Sequence, residues 1–141
     1  MKVVSRPRFA LAVVLIDTSI WIEVHRGRFD LEAFVEPGEI AICPPIAQEL
    51  LQGVQSPERF MIVWETVLAA KMLDDPMPLA RFEYAAEIHR RCREQGFVIA
   101  SSHDCLIAAC AIAAKVPLLQ RDHDFEVMAD FVPLELLRNR N

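Results

Sequence analysis

The chain has 141 residues, a length that fits one domain and allows about 70% of the unfolded chain's surface to be buried without disulfides or a structural metal. A hydrophobic content of 53% with only 4 Gly excludes a disordered chain or a Gly-rich linker, and no apolar run approaches the roughly 18 residues that span a bilayer. A net charge of −5 argues against broad nucleic-acid binding, although Arg26 with Arg28, and Arg90, Arg91 and Arg93, leave room for local basic patches or plain solvated helix faces.

Lys2, Arg6 and Arg8 before an apolar stretch superficially resemble a secretory signal. The stretch stops at Asp17 with no small-residue cleavage site, so residues 1–8 read as a basic extension, residues 9–141 as a single domain, and the expected location is the cytoplasm, away from membranes. Cys43, Cys92, Cys105 and Cys110 form no C-x-x-C pair; Cys105 and Cys110 fall in an apolar helical pattern, as reduced buried thiols do.

Leu11 to Ile16 is a six-residue apolar run of the kind buried on both faces of a parallel sheet, with Asp17 at its end. Thr18 to His25 follows as a short helix capped by Asp17 or Thr18 and closing near Gly27. Leu31, Phe34 and Val35 mark a second short helix ended by Pro37-Gly38. Ile40 to Cys43 is the next strand, and Pro45 to Gln52 a helix with proline in its first turn and Gly53 near its end. Ser56-Pro57 caps a helix whose apolar positions run from Phe60 to Leu68, with a short strand at Lys71-Met72-Leu73 before the Asp74–Pro78 break.

From Leu79 to Gln95 apolar residues recur at helical spacing until Gly96. Phe97 to Ala100 is another short apolar run. Ser101 caps a helix with Asp104 in its first turn and a narrow face of Leu106, Ile107, Cys110, Ala111 and Ala114. Val116 to Leu119 is a strand, the acids of Gln120 to Asp124 cap a helix through Met128, and Phe131 to Leu134 reads as an edge strand that tolerates Pro133.

This alternation predicts an α/β domain with a mainly parallel central sheet flanked by helices. Asp17 and Asp122 follow strands, and Glu49 and Asp104 lie near the starts of helices that follow strands, so the four carboxylates are expected at one sheet edge, where ligands bind in such folds. Clustered carboxylates repel and raise each other's pKa unless a cation compensates, and oxygen-only sites suit Mg2+ or Mn2+. Helix capping alone suffices for any single one of Asp17, Asp104, Asp122 or Asp124, and for each taken singly it is the preferred reading. His103 and His123 lack zinc-ligand spacing and read as surface residues, and Trp21 as core.

The segments Val14-Leu-Ile-Asp17-Thr18-Ser19, Pro45-Ile-Ala-Gln-Glu49, Ser102-His-Asp104 and Leu119-Gln-Arg-Asp122-His-Asp124 keep the order of the four acidic motifs of PIN-domain nucleases. Over residues 12 to 134 the chain resembles that family, most closely its VapC-type toxins. Gln120 is a departure, standing where the family often carries Thr.

The resemblance implies a PIN-like fold and a metal-dependent endoribonuclease that hydrolyses RNA phosphodiester bonds, the toxin of a type II toxin–antitoxin pair. By motif it assigns Asp17, Glu49, Asp104 and Asp122 as catalytic and as ligands of Mg2+ or Mn2+, Asp17 and Asp104 most directly, with Ser19 and Asp124 supporting. It also implies a cognate antitoxin over the acidic cleft and a homodimer. The Leu79–Gln95 helix and the first helices are the expected contact surfaces, with Trp21, Ile22, Phe60, Met61 and Trp64 supplying large apolar side chains. Two alternatives stand beside this reading: a catalytically inactive PIN-like scaffold, and a phosphoryl-accepting signalling domain, for which Lys115 is the nearest late basic residue.

Overall fold

The structure, a computed structural model, describes residues 13–138. The start of the first predicted strand and the basic extension lie outside the described residues. Four short parallel strands form one sheet: β1 (Val14–Ile16), β2 (Ile40–Ile42), β3 (Lys71–Met72) and β4 (Leu118–Leu119), in the spatial order β3-β2-β1-β4. Leu15 pairs with both Ala41 and Leu118, which puts β1 at the centre and explains why Val14, Leu15 and Ile16 are fully buried.

The helices are α1 (Thr18–His25), α2 (Pro44–Gln52), α3 (Pro57–Ala69), α4 (Leu79–Glu94), α5 (Ser102–Ala114) and α6 (His123–Phe131). Their starts follow the expected chemistry: Asp17, Ser56, Ser101 and Asp122 each accept a backbone N–H of the first turn of α1, α3, α5 and α6. Gly27 and Gly96, at φ +67° and +89°, turn the chain after α1 and α4 in a conformation that costs glycine little. The central helix is α5: Ile107, Ala108, Ala109 and Cys110 are wholly buried, and the alanines let α4 pack closely along it. Burial of side chains such as Ile107 and Phe125 stabilises the fold by about 1.5–3 kcal/mol each. All four cysteines are free and buried.

Four expectations are corrected. Phe131 to Leu134 is not an edge strand: α6 continues to Phe131, and the chain reaches β4 four residues later, at Glu135. There Leu118 N–H donates to Glu135 O at 2.9 Å and Leu137 N–H to Leu118 O at 2.8 Å, around a parallel bridge at Leu136. Pro133 has no N–H to offer a ladder, so pairing begins beyond it. Because Leu136 occupies that side of β4, the run Phe97 to Ala100 forms no strand; only Ile99 of its apolar residues is buried, so α5 does not follow a strand. The predicted second short helix is a pair of 3-10 turns, Leu31–Ala33 and Pro37–Glu39.

The fourth correction concerns Trp21. It is core, not contact surface: it is 6% exposed and its Nε1–H donates to Ile16 O at 3.1 Å. Ile22, Phe60, Met61 and Trp64 are exposed as expected, and Ile62 and Leu68 extend the same apolar surface on α3.

Candidate active site

The carboxyl end of β1 delivers Asp17 directly into the N-cap of α1, where it is 4% exposed. Its Oδ2 accepts from Ser19 N–H at 3.0 Å and from the Ser19 hydroxyl at 2.6 Å. Ser19 Oγ in turn accepts from Arg121 N–H at 3.1 Å, and Asp17 N–H donates to Leu119 O at 3.0 Å. The first turn of α1 is thereby tied to the segment that leaves β4.

That segment carries Asp122, the N-cap of α6, whose Oδ1 accepts from Asp124 N–H at 2.9 Å. Gln120 orients it: its Oε1 accepts from Asp122 N–H at 2.6 Å, while its Nε2 donates to Glu126 Oε1 at 3.3 Å. Glu126 is held from the other side by both terminal nitrogens of Arg138, at 3.0 and 2.5 Å. Gln120, the departure from the family pattern, thus provides a polar brace that the sequence did not reveal.

Asp104, 7% exposed, lies in the first turn of α5 with its N–H donating to Ser101 Oγ at 3.2 Å. Glu49 stands in the second turn of α2, half-buried, and its Oε1 has no hydrogen-bond partner. His103 reaches across to α2, with Nε2 at 3.2 Å from Gln48 Oε1, and a charge on it would oppose the rise of the Glu49 pKa. His103 is therefore partly buried beside the acids rather than a free surface residue.

Asp104, Asp122 and Asp124 each present a carboxylate oxygen such that all three lie within 4.8 Å of one another. Asp17 and Glu49 fall outside this tight set but act on it electrostatically. The Asp104 carboxyl is pushed up to about 7, first by burial and then by the charges of Asp17, Asp122 and Glu49. Asp17 is also raised, mainly by burial, against the opposing hydrogen bonds from Ser19. Burial, then the charge of Asp17, raises Glu49. Carboxylates crowded this way hold excess negative charge that protons or a cation must offset.

The donor set fits a hard divalent ion. It is built from the carboxylate oxygens of Asp104, Asp122 and Asp124, and outside that set Glu49 Oε1 is buried without a partner, a kind of orphaned atom rare in folded proteins. Asp124, expected only as support, stands inside the tight set, because an N-cap Asp at 122 and a helical residue two positions on share one end of α6. Lys115 ends α5 in a left-handed conformation, about 16 Å along the helix from Asp104, so it does not serve the acidic centre as a signalling domain's lysine would.

A parallel α/β sheet with an acidic centre at the carboxyl ends of its strands is the class that fold and site define. The family model described as the PIN domain matches residues 14–130, and the chain belongs to that family. Among curated proteins, Ribonuclease VapC11 of Mycobacterium tuberculosis is 35% identical over 132 residues, covering 87% of this chain and 96% of its own. VapC ribonuclease Mb1587 of Mycobacterium bovis matches to the same extent.

Among solved structures, VapBC2 from Rickettsia felis bound to a DNA fragment from its promoter superposes with a TM-score of 0.69 at 21% identity, covering 88% of this chain and 96% of that one. VapBC-5 from Mycobacterium tuberculosis gives 0.67 at 22%, covering 91% and 99%. These likenesses establish the PIN-like fold. Among the described residues, no helix is long and apolar enough to cross a membrane.

Proposed function

We propose that this protein is a divalent-metal-dependent endoribonuclease acting in the cytoplasm as the toxin of a type II toxin–antitoxin pair. The observation that carries the reading is the convergence of Asp104, Asp122 and Asp124 within 4.8 Å, where burial first and then the charges of Asp17, Asp122 and Glu49 push the Asp104 carboxyl up to about 7. The names of the VapC relatives, printed as ribonucleases, supply the substrate class.

In this reading Asp104, Asp122 and Asp124 hold Mg2+ or Mn2+, with Asp17 and Glu49 as further direct or water-mediated ligands. When bound, such an ion would supply positive charge at the phosphodiester and acidify water. The chain does the positioning. Ser19 fixes the Asp17 carboxylate, and Gln120 holds the backbone of Asp122, so the acids meet the substrate in preset orientations. Glu49 Oε1, free of any protein partner, is proposed as the group that receives a proton from water.

The antitoxin is proposed to cover this cleft, an arginine replacing the cation among the carboxylates. Exposed apolar residues on α3, among them Met61, Ile62 and Leu68, together with α4, suit the homodimer and antitoxin contacts. Incubation of purified, antitoxin-free protein with total RNA in Mg2+, Mn2+ or EDTA tests the reading. Cleavage in metal and none in EDTA is expected; cleavage unaffected by EDTA contradicts it.

A further inference from the structure

A cleft of about 580 Å³ opens between α1, α2 and α3, within the roughly 300–1,000 Å³ of small-ligand sites. It adjoins the acidic centre through Glu49, whose charge acts on Asp104 and which feels that of Asp17: Thr18 and Glu49 line it, and the Thr18 hydroxyl and Glu49 Oε1 are both buried without hydrogen-bond partners. Ile22, Leu50, Val54 and Val63 give it an apolar wall, and Arg26 and Arg59 line it as well, beside His25.

Neither arginine is committed to the fold. Arg59 makes no ion pair among the described residues; only its backbone N–H is used, by Ser56 Oγ. Arg26 is 60% exposed and has one loose contact, 3.8 Å from a Glu23 that also meets Arg121; exposed pairs of this kind contribute little stability. Arg121, next to Asp122 in the chain, does not line the cleft.

An acidic centre repels the phosphates on either side of the bond it cuts, so a chain carrying −5 needs local cations where the strand leaves the site. The cleft meets that need on one side, with an apolar wall for the face of a base and two arginines, one without an ion pair among the described residues and one only loosely paired. We infer that this cleft seats the nucleotide adjoining the scissile phosphodiester of a single-stranded RNA, and that Arg26 and Arg59 bind the flanking phosphates. The inference rests on the ribonuclease reading and gives it a direction: the strand runs from the acids over α1 and α3.

The test measures anisotropy of a 5′-labelled, mixed-sequence single-stranded RNA with Asp104→Asn protein, which leaves the strand uncut, between about 50 and 200 mM salt. Arg26→Ala with Arg59→Ala is expected to weaken binding about tenfold and to reduce the slope of log affinity against log salt by about 1.4, for two phosphates at about 0.7 each. Arg28→Ala, an exposed arginine off the cleft, removes the same type of charge and is expected to do neither. Wild-type cleavage by the double variant should show a raised KM with kcat nearly unchanged.

If the double variant binds as its parent does, or Arg28→Ala weakens binding equally, the inference is overturned while the nuclease reading stands. A cleft that serves only a partner protein gives that first result. If the parent binds no RNA and wild-type protein cuts none, the nuclease reading itself falls and the inference with it.

Discussion

Ser19 joins the two halves of the acidic centre: its hydroxyl donates to Asp17 Oδ2 at 2.6 Å and accepts from Arg121 N–H at 3.1 Å. One small side chain thus sets the carboxylate at the end of β1 and the backbone that presents Asp122. Ser19→Ala leaves Asp17 with backbone N–H donors alone and unties the exposed Arg121 N–H from α1. A loss of about 10–100-fold in kcat is expected, the usual cost of removing a group that orients metal ligands. Because the lost hydrogen bond lowers the Asp17 pKa, the acid limb of the pH–rate profile should also move to higher pH. A fall in rate with an unmoved acid limb would mean that Ser19 matters only for folding.

Gln120 plays the matching part for Asp122, with Oε1 on the Asp122 N–H at 2.6 Å and Nε2 anchored to Glu126, itself clasped by Arg138. Gln120→Leu keeps the bulk and removes both bonds. Mn2+ affinity, followed by calorimetry, is expected to drop about 10–100-fold with little change in the thermal midpoint. Glu126→Gln, which weakens the Arg138 clasp, should give a smaller drop in the same direction. An unchanged Mn2+ affinity in Gln120→Leu would show that Asp122 needs no brace.

The raised carboxyls make the metal-free protein sensitive to pH. The folded-state Asp104 carboxyl titrates at about 7, against an ordinary 3.8, so between these values the folded state retains a proton that the unfolded chain has released. Stability is therefore greatest below about pH 4 for this group, falls as pH rises through the window, and levels off above about 7. Asp17 and Glu49 are shifted in the same direction and add to the slope. Asp104→Asn, scanned in EDTA, should melt above wild type at pH 8 by the equivalent of about 1–3 kcal/mol, with the gap closing towards pH 4. A wild-type midpoint that rises steadily from pH 4 to 7 would contradict the clustering of these acids.

Much of this was written locally in the chain. The caps at Asp17, Ser56, Ser101 and Asp122 depend on a side chain two or three residues from the N–H it accepts, so they are visible as short-range patterns. The apolar run at Val14–Ile16 announces a strand buried on both faces. What was not legible depends on partners distant in sequence. Phe97–Ala100 and Phe131–Leu134 look like strands, but strand formation needs an open neighbour, and Leu136 takes the available edge of β4. The entry of Asp124 into the tight carboxylate set depends on how α5 and α6 meet. Gln120 looked like a lost hydroxyl because its bonds to Asp122 and Glu126 form only when the chain turns into α6.

Trp21 illustrates the same limit from the other side. The sequence suggested both a core residue and a contact surface, and the burial of Trp21 together with its Nε1–H bond to the Ile16 carbonyl decides between them. Trp21→Phe retains most of the buried area but leaves that carbonyl without its side-chain donor. A loss of about 1–2 kcal/mol in urea unfolding is expected, with oligomeric state unchanged. Dissociation of an assembly without loss of stability would return Trp21 to the surface.

The central claim is that the acids around Asp104 hold a divalent ion that drives RNA hydrolysis. The most direct measurement is Mn2+ binding by calorimetry paired with RNA cleavage, on wild-type and Asp104→Asn protein side by side. The account predicts that wild type binds Mn2+ and cuts RNA only when it is present, and that Asp104→Asn, folded and at least as stable, loses both together. Full metal-dependent cleavage by Asp104→Asn, or cleavage by wild type with no Mn2+ or Mg2+ bound, would contradict it.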